Sequence, residues 1–393
     1  MQMNYRPTVA EIDLDALEAN FYAFRRRLPE SMKMLVCVKA NAYGHGAVEV
    51  GREMQRLRAD YLSVAFLDEA IELRQAGITM PILVLGYTPA SGLRVAYEHN
   101  ITVCLFDEEG LEAAKHLELD QSDHKLKVHI KVDTGMGRIG LLPEEAVQFV
   151  QQATEVQSLL VEGLFTHFAT ADEEDKRYTL EQYAKFQVVT SALKERNIHI
   201  PIIHTGNSAI AIDLPEISYD MVRIGIAIYG LYPSGEVHRN NVQLIPVLSL
   251  KTRLVYVKQL PSQWGISYGK RYETQQDEVI GTLPIGYADG YSRMLTGKSE
   301  VLIRGQRVPV VGTICMDQCM ISLQSFKEEA GHIKVGEEVV LIGQQQGATL
   351  FAEELASWLG TINYEVVCMM AHRIPRKYIK QDHADLILNP LID

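Results

Sequence analysis

The chain runs to 393 residues, more than one ordinary hydrophobic core holds, so its length predicts two domains. Hydrophobic residues make up 47% and charged residues 22%, a soluble globular profile, and a net charge of −12 at pH 7 argues against a nucleic-acid or anionic-membrane surface. The five cysteines are scattered and odd in number, Cys315 and Cys319 lack a further Cys/His pair for zinc, and no apolar run reaches membrane length.

The opening residues Met-Gln-Met-Asn-Tyr-Arg-Pro carry no apolar signal core, which predicts a cytoplasmic protein. A short strand at 8–12 leads into a helix at 14–28, with Asp13 or Asp15 as its cap. Then a rhythm begins. Apolar runs at 33–38, 61–65, 82–85, 102–106, 127–132, 160–165, 202–204 and 221–227 read as strands. Between most of them lie stretches of helical period, such as 47–58, 69–75 and 180–196. Alternation of this kind means βα units on a parallel sheet, and about eight units predict an α/β fold of the (β/α)8 barrel type over residues 1–242. A doubly wound sheet would be expected to show Gly-x-Gly-x-x-Gly after an early strand, and no early strand here is followed by one. From about Gln243 strand-like runs (248–257, 278–283, 300–303, 308–311, 338–342) follow one another, with one helix near 351–359. Residues 243–393 therefore read as a mostly β domain, to which residues 1–13 are a candidate addition.

A barrel collects its functional groups at the C-terminal ends of its strands. Lys39 ends the first run, where a buried strand holds it rigidly and desolvation favours the neutral, nucleophilic amine. Most strand-end lysines merely snorkel. Here Tyr43 and the turn Gly44-His45-Gly46 follow directly, an aromatic and a close-approach loop beside the amine. Arg138 follows the fifth run and His167 the sixth, Asn207 and Ser208 follow the seventh, and Arg223, Gly225 and Ile226 lie at the eighth. Each alone has an ordinary structural reading; their common placement points to a site. Phosphate is usually held in a barrel by the loops after the last two strands, through N–H groups and hydroxyls. Thr205-Gly206-Asn207-Ser208 and Ile224-Gly225-Ile226 offer those groups, and with a lysine across the mouth they suggest pyridoxal phosphate.

The stretch from Val38 to Gly46 resembles the pyridoxal-phosphate attachment site of alanine racemases. The segments Lys131-Val132-Asp133-Thr134-Gly135-Met136-Gly137-Arg138, Val222-Arg223-Ile224-Gly225, Ile266-Ser267-Tyr268-Gly269, Leu283 to Gly290, and Cys315-Met316-Asp317-Gln318 are also similar to motifs of that family, in its order. The resemblance covers nearly the whole chain. It implies interconversion of L- and D-alanine, supplying D-alanine for peptidoglycan, in a homodimer with shared active sites. Lys39 would carry the cofactor and act as the base on one face of the substrate, and Tyr268 of the partner subunit would act on the other. Tyrosine is ordinarily a poor base at neutral pH, and the family's answer is His167 connecting Tyr268 to Arg223. Arg223 would hydrogen-bond the pyridine nitrogen, and Arg138 would approach the cofactor oxygen and the substrate carboxylate. Tyr43, Asn207, Ser208, Gly225, Ile226 and Tyr364 match cofactor-binding positions. Met316, Asp317 and Tyr287 match the substrate carboxylate and entrance, and Lys131 matches a lysine that is often carbamylated. No metal is implied. Ile203-His204-Thr205-Gly206 departs from the family's commoner small-residue lead-in, and Ala371-His372 stand where an aromatic is frequent. A serine or broad-specificity racemase of the same family is therefore the alternative. Decarboxylases of the same fold type usually place an acid at the pyridine nitrogen, and single-barrel cofactor-binding proteins have no second domain.

Overall fold

The computed structural model describes residues 5–118, 124–326 and 333–392. Two compact units are present: Leu17–Ala42 with Ala47–Ile245, and Met1–Ala16 with Tyr43–Gly46 and Pro246–Asp393. The first strand, β1 (Val9–Asp13), lies in the second unit, pairing antiparallel with Leu248–Arg253 and parallel with Arg376–Ile379. Asp13 supplies the cap foreseen for the first helix: its Oδ1 accepts the Ala16 N–H at 2.9 Å.

The first unit contains β2 (Lys33–Cys37), β3 (Tyr61–Val64), β4 (Ile82–Val84), β5 (Thr102–Leu105), β6 (Leu126–Lys131), β7 (Leu159–Phe165), β8 (Ile202–His204) and β9 (Met221–Ile224). All pair in parallel, in the order β8-β7-β6-β5-β4-β3-β2-β9. Every residue of β3, β4, β5 and β9 is buried, as strands covered on both faces must be. Helices intervene and bury one stripe each; Pro143–Glu155 buries Ala146, Phe149, Val150 and Ala153, the 3.6-residue period in full. The barrel nearly closes between β8 and β9. There the Asp220 N–H donates to Ile203 O and the Arg223 N–H to Gly206 O, each at 2.9 Å, while the Asp220 carboxylate accepts the Ile203 N–H at 2.7 Å.

Three differences from the sequence expectation bear on the site and the sheet. Strand β2 stops at Cys37, so Lys39 opens the turn beyond it. Strand β9 stops at Ile224, and the apolar run continues as a 3-10 turn, Ile226–Tyr229. The expected strand at 248–257 is two strands, Leu248–Arg253 and Tyr256–Leu260, because the chain changes partners between them. The Leu254 N–H donates to Glu337 O, whereas the Val255 N–H donates to Thr282 O.

Among the described residues, the second unit is built on an eleven-stranded, mainly antiparallel sheet. A small hairpin, Gly265–Ile266 with Tyr272–Glu273, packs Ile266 into a cluster with Leu260, Ile280 and Val311. Helices Ala352–Leu359 and Asn363–Cys368 belong to the same unit. Among the described residues no helix is long and apolar enough to cross a membrane.

Candidate active site

Beyond β2 the backbone turns the wrong way for L-residues. Ala40, Asn41, Ala42 and Tyr43 have φ of 51°, 53°, 53° and 52°, a left-handed turn with no glycine in it. Each such residue costs about 1–2 kcal/mol over the right-handed form, so the surroundings must hold it. Glu69 does much of this. One carboxylate oxygen accepts the Ala40 N–H at 2.6 Å, and the other accepts those of Ala65 and Phe66 at 2.7 and 3.1 Å. Asn41 Oδ1 accepts the Ala47 N–H at 2.8 Å, bracketing the turn from its far side. Lys39, the first residue of the turn, is thus set by a carboxylate thirty residues downstream.

The close-approach glycines after Tyr43 serve the second unit. A Cβ on Gly44 would stand 2.1 Å from Val367 O, and one on Gly46 would stand 1.8 Å from Tyr378 Oη. The Tyr378 hydroxyl donates to His45 O at 3.2 Å. Tyr43 itself faces Tyr364, ring centroids 6.2 Å apart, so two of the expected cofactor residues meet there.

At the β7–β9 side of the barrel, Arg223 is buried and donates in several directions. Its Nη2 lies 2.9 Å from Thr166 O, 2.9 Å from Thr205 O and 3.2 Å from His167 Nδ1. Its Nη1 lies 2.9 Å from His204 Nδ1. Guanidinium groups only donate, so both histidines accept through Nδ1 and, when neutral, carry their proton on Nε2. Burial, then the positive charge of Arg223, holds both well below the usual histidine range. Arg138, Lys131 and Lys39 add to that positive field at His167. The expected pairing of His167 with Arg223 is therefore present, and His167 keeps an Nε2–H to donate elsewhere.

The two phosphate-type loops also meet. Ser208 Oγ accepts the Gly225 N–H at 2.8 Å, and Asn207 caps the helix Ser208–Asp213 by accepting the Ile210 N–H at 3.1 Å. Ile226 begins the 3-10 turn beside them. Arg138 is exposed at the end of a loop organised by Asp133 Oδ1, which accepts N–H groups of Gly135, Met136 and Gly137 at 2.9, 2.8 and 3.1 Å. Lys131, in β6, is buried, its ammonium 5.5 Å from the centre of the Phe165 ring. Burial pulls its pKa down to about 8, and the charges of Arg138 and Arg223 push the same way.

Tyr268, Tyr287, Met316 and Asp317 belong to the second unit. Tyr268 follows Ile266 by two residues in the small hairpin, with its backbone fastened: Thr313 Oγ1 donates to Tyr268 O at 2.8 Å, and Ser267 Oγ donates to Thr313 O at 2.6 Å. Its side chain is 74% exposed. Tyr287 and Met316 are locked side by side, since the Tyr287 N–H donates to Cys315 O and the Ala288 N–H to Met316 O, at 3.0 and 3.1 Å. Gly286 permits this approach; a Cβ there would lie 2.2 Å from Cys315 O. Buried Asp289 anchors the turn through ion pairs to Arg6 at 2.6 Å and Arg373 at 2.7 Å, and Arg373 also reaches Asp317 at 2.7 Å.

Family models described as the alanine racemase N-terminal domain and C-terminal domain match residues 12–233 and 247–378. The chain belongs to the alanine racemase family. It is 45% identical over 390 residues to the alanine racemase of Clostridium perfringens, covering 99% of this chain and 100% of that one. Among solved structures, the alanine racemase of Clostridium difficile 630 matches with a TM-score of 0.91 and 42% identity, over 99% of this chain and 100% of that one. The Bacillus anthracis alanine racemase with bound L-Ala-P matches with a TM-score of 0.92 and 41% identity, over 99% of each chain.

Two features of this alanine racemase family member were not read from its sequence. One is the Glu69 brace, whose only local sign is a glutamate at the third position of a helix, a common capping place. The other is the company of Arg223 inside the barrel. His129 lies inside β6 and His204 ends β8, and His129 Nδ1 is 2.8 Å from His204 Nε2.

Proposed function

We propose that the chain racemises alanine with pyridoxal 5′-phosphate, using Lys39 and Tyr268 as bases on opposite faces of the substrate, in a homodimer whose partner supplies Tyr268. The residues fit that cofactor. Ser208 and Gly225 join the two loops where a phosphate would be held, with Asn207 and Ile226 at the start of the adjoining helix and turn. Tyr43 and Tyr364 pair as a further contact for it. When bound, the cofactor withdraws electrons from the substrate Cα and makes its proton acidic.

The hydrogen-bonded pair of buried Arg223 and half-buried His167 carries the reading. Arg223, a donor-only cation, would face the pyridine nitrogen and keep it unprotonated, which would limit electron withdrawal and suit racemisation over transamination. His167, neutral with its proton on Nε2, can donate to the Tyr268 oxygen and link it to the Arg223 charge. Inversion needs a base on each face, because a proton taken from one side returns from the other. A side chain 74% exposed within its own chain supports a partner that covers it. Arg138 would bind the substrate carboxylate, with Met316, Asp317 and Tyr287 at the entrance. The product D-alanine would serve peptidoglycan synthesis in the cytoplasm. Lys131 would carry a carbamate: a pKa near 8 leaves neutral amine for carbon dioxide, and an anion among Arg138 and Arg223 replaces repulsion with attraction.

Borohydride reduction of the loaded enzyme followed by peptide mapping should place the cofactor on Lys39, and a chiral assay from L-alanine should yield D-alanine. Label on another lysine, or no D-alanine, contradicts the reading. Tyr268→Phe should lower turnover roughly 10²–10⁴-fold, the range of a positioned general base.

A further inference from the structure

Arg223 is buried, and among the described residues no carboxylate pairs with it directly. Such a charge needs compensation. Following the donors inward shows where it comes from. His204 accepts from Arg223 through Nδ1, so its proton is on Nε2, which lies 2.8 Å from His129 Nδ1. That nitrogen must accept, which places the His129 proton on Nε2, 3.3 Å from the Glu162 carboxylate. Every step is forced by the one before. The chain of donors runs one way, from a cation through two neutral imidazoles to an anion, and each bond polarises the next.

The barrel is shaped around this line. Val128 pairs with Val161 and His129 with Gly163, so Glu162 is the extra residue of a β-bulge in β7. Bulges re-aim side chains beside active sites, and this one brings a carboxylate to His129. A Cβ on Gly163 would stand 2.4 Å from His129 Nδ1, so the glycine makes room for the ring. Phe165 stacks on His204 with centroids 4.8 Å apart and planes 6° apart, which fixes its tilt. Burial lowers the pKa of both His129 and His204, keeping them neutral links. Lys127 meets Glu162 at 3.4 Å on the partly exposed side.

We propose that Glu162 is the remote counter-charge of Arg223, acting through His129 and His204, and is a positioning residue for the racemase reaction. This rests on the reading that Arg223 faces the cofactor ring. Removing the Glu162 charge leaves Arg223 a stronger donor toward its remaining partners and degrades the weak ring contact that racemisation uses. Carboxylate–histidine pairs behind metal ligands typically contribute 10–100-fold, and a loss of about tenfold in kcat, with KM for alanine within about a factor of two, is expected for Glu162→Gln.

Nitrogen-15 histidine NMR of the holoenzyme tests the relay itself. Both His129 and His204 should be neutral and protonated on Nε2, and the His204 Nε2–H proton should move upfield in Glu162→Gln. Gly163→Ala displaces His129 while keeping Glu162, and should reproduce the kcat loss. Lys127→Met removes only the outer ion pair and should leave kcat within about a factor of two. A proton on Nδ1 of either ring, wild-type kcat in Glu162→Gln, or an equal loss in Lys127→Met overturns the proposal. The cofactor reading is tested apart: Arg223→Glu should shift the signal of a nitrogen-15-labelled pyridine ring toward its protonated position. An unmoved signal would overturn that reading, whatever the histidines show.

Discussion

Lys131 is 3% exposed, with its ammonium over the Phe165 ring and Arg138 and Arg223 as cationic neighbours. Burial disfavours its charged form first, and the two arginines add to that. Its pKa of about 8 lies below that of an ordinary lysine, so the neutral amine gains population as pH rises through about 8. Only the neutral amine attacks carbon dioxide. With dissolved carbon dioxide held constant, a carbon-13 carbamate signal should therefore grow as pH increases from 7 to 9 and vanish in Lys131→Met. A signal absent across that range contradicts the modification. At this scale the sequence was legible wherever a polar residue broke an apolar pattern at a strand end, as Arg223 and His167 do. It was silent on His129 and Glu162, and it marked His204 only as part of a departure from the family's lead-in. A histidine inside an apolar strand, as His129 is in β6, looks like ordinary core, and a bulge that turns one glutamate inward leaves no periodic trace.

The left-handed turn after β2 is the element whose conformation is least explained by its own residues. Ala-Asn-Ala-Tyr has helix formers and no glycine, so nothing local announces positive φ. The external brace decides it. Glu69→Gln replaces a shared carboxylate with one acceptor and one donor facing three N–H groups. Loss of that satisfaction should cost about 1–3 kcal/mol in denaturant unfolding. Ala40→Gly, at an exposed position with φ of 51°, relieves strain and should restore part of the loss in the double mutant. Wild-type stability in Glu69→Gln would show that Glu69 does not brace the turn. The barrel strands, by contrast, were legible from sequence because strands buried on both faces are continuous apolar runs. The break at Leu254-Val255 was not, because a change of partner between adjacent N–H groups keeps the apolar pattern intact.

At the scale of the molecule, chain order and spatial grouping part company. Strand β1 and the segment Tyr43–Gly46 belong with residues after Pro246, while Lys39 and Arg223 belong with the barrel. Lys39, Arg138, His167 and Arg223 lie in one unit, and Tyr268, Tyr287, Met316 and Tyr364 in the other. A period-two or period-3.6 pattern can identify each unit, but it carries no information on which copy of one faces which copy of the other. Subunit exchange shows which chain supplies Tyr268 to Lys39. Lys39→Ala and Tyr268→Phe are each expected to retain about 1% of wild-type turnover or less. After mixing and exchange, each heterodimer with shared sites has one site with both bases and one with neither. With random pairing about half the dimers are heterodimers, so roughly a quarter of wild-type activity should return. No recovery, with exchange confirmed by native mass spectrometry, would contradict a two-base site completed by the partner's tyrosine.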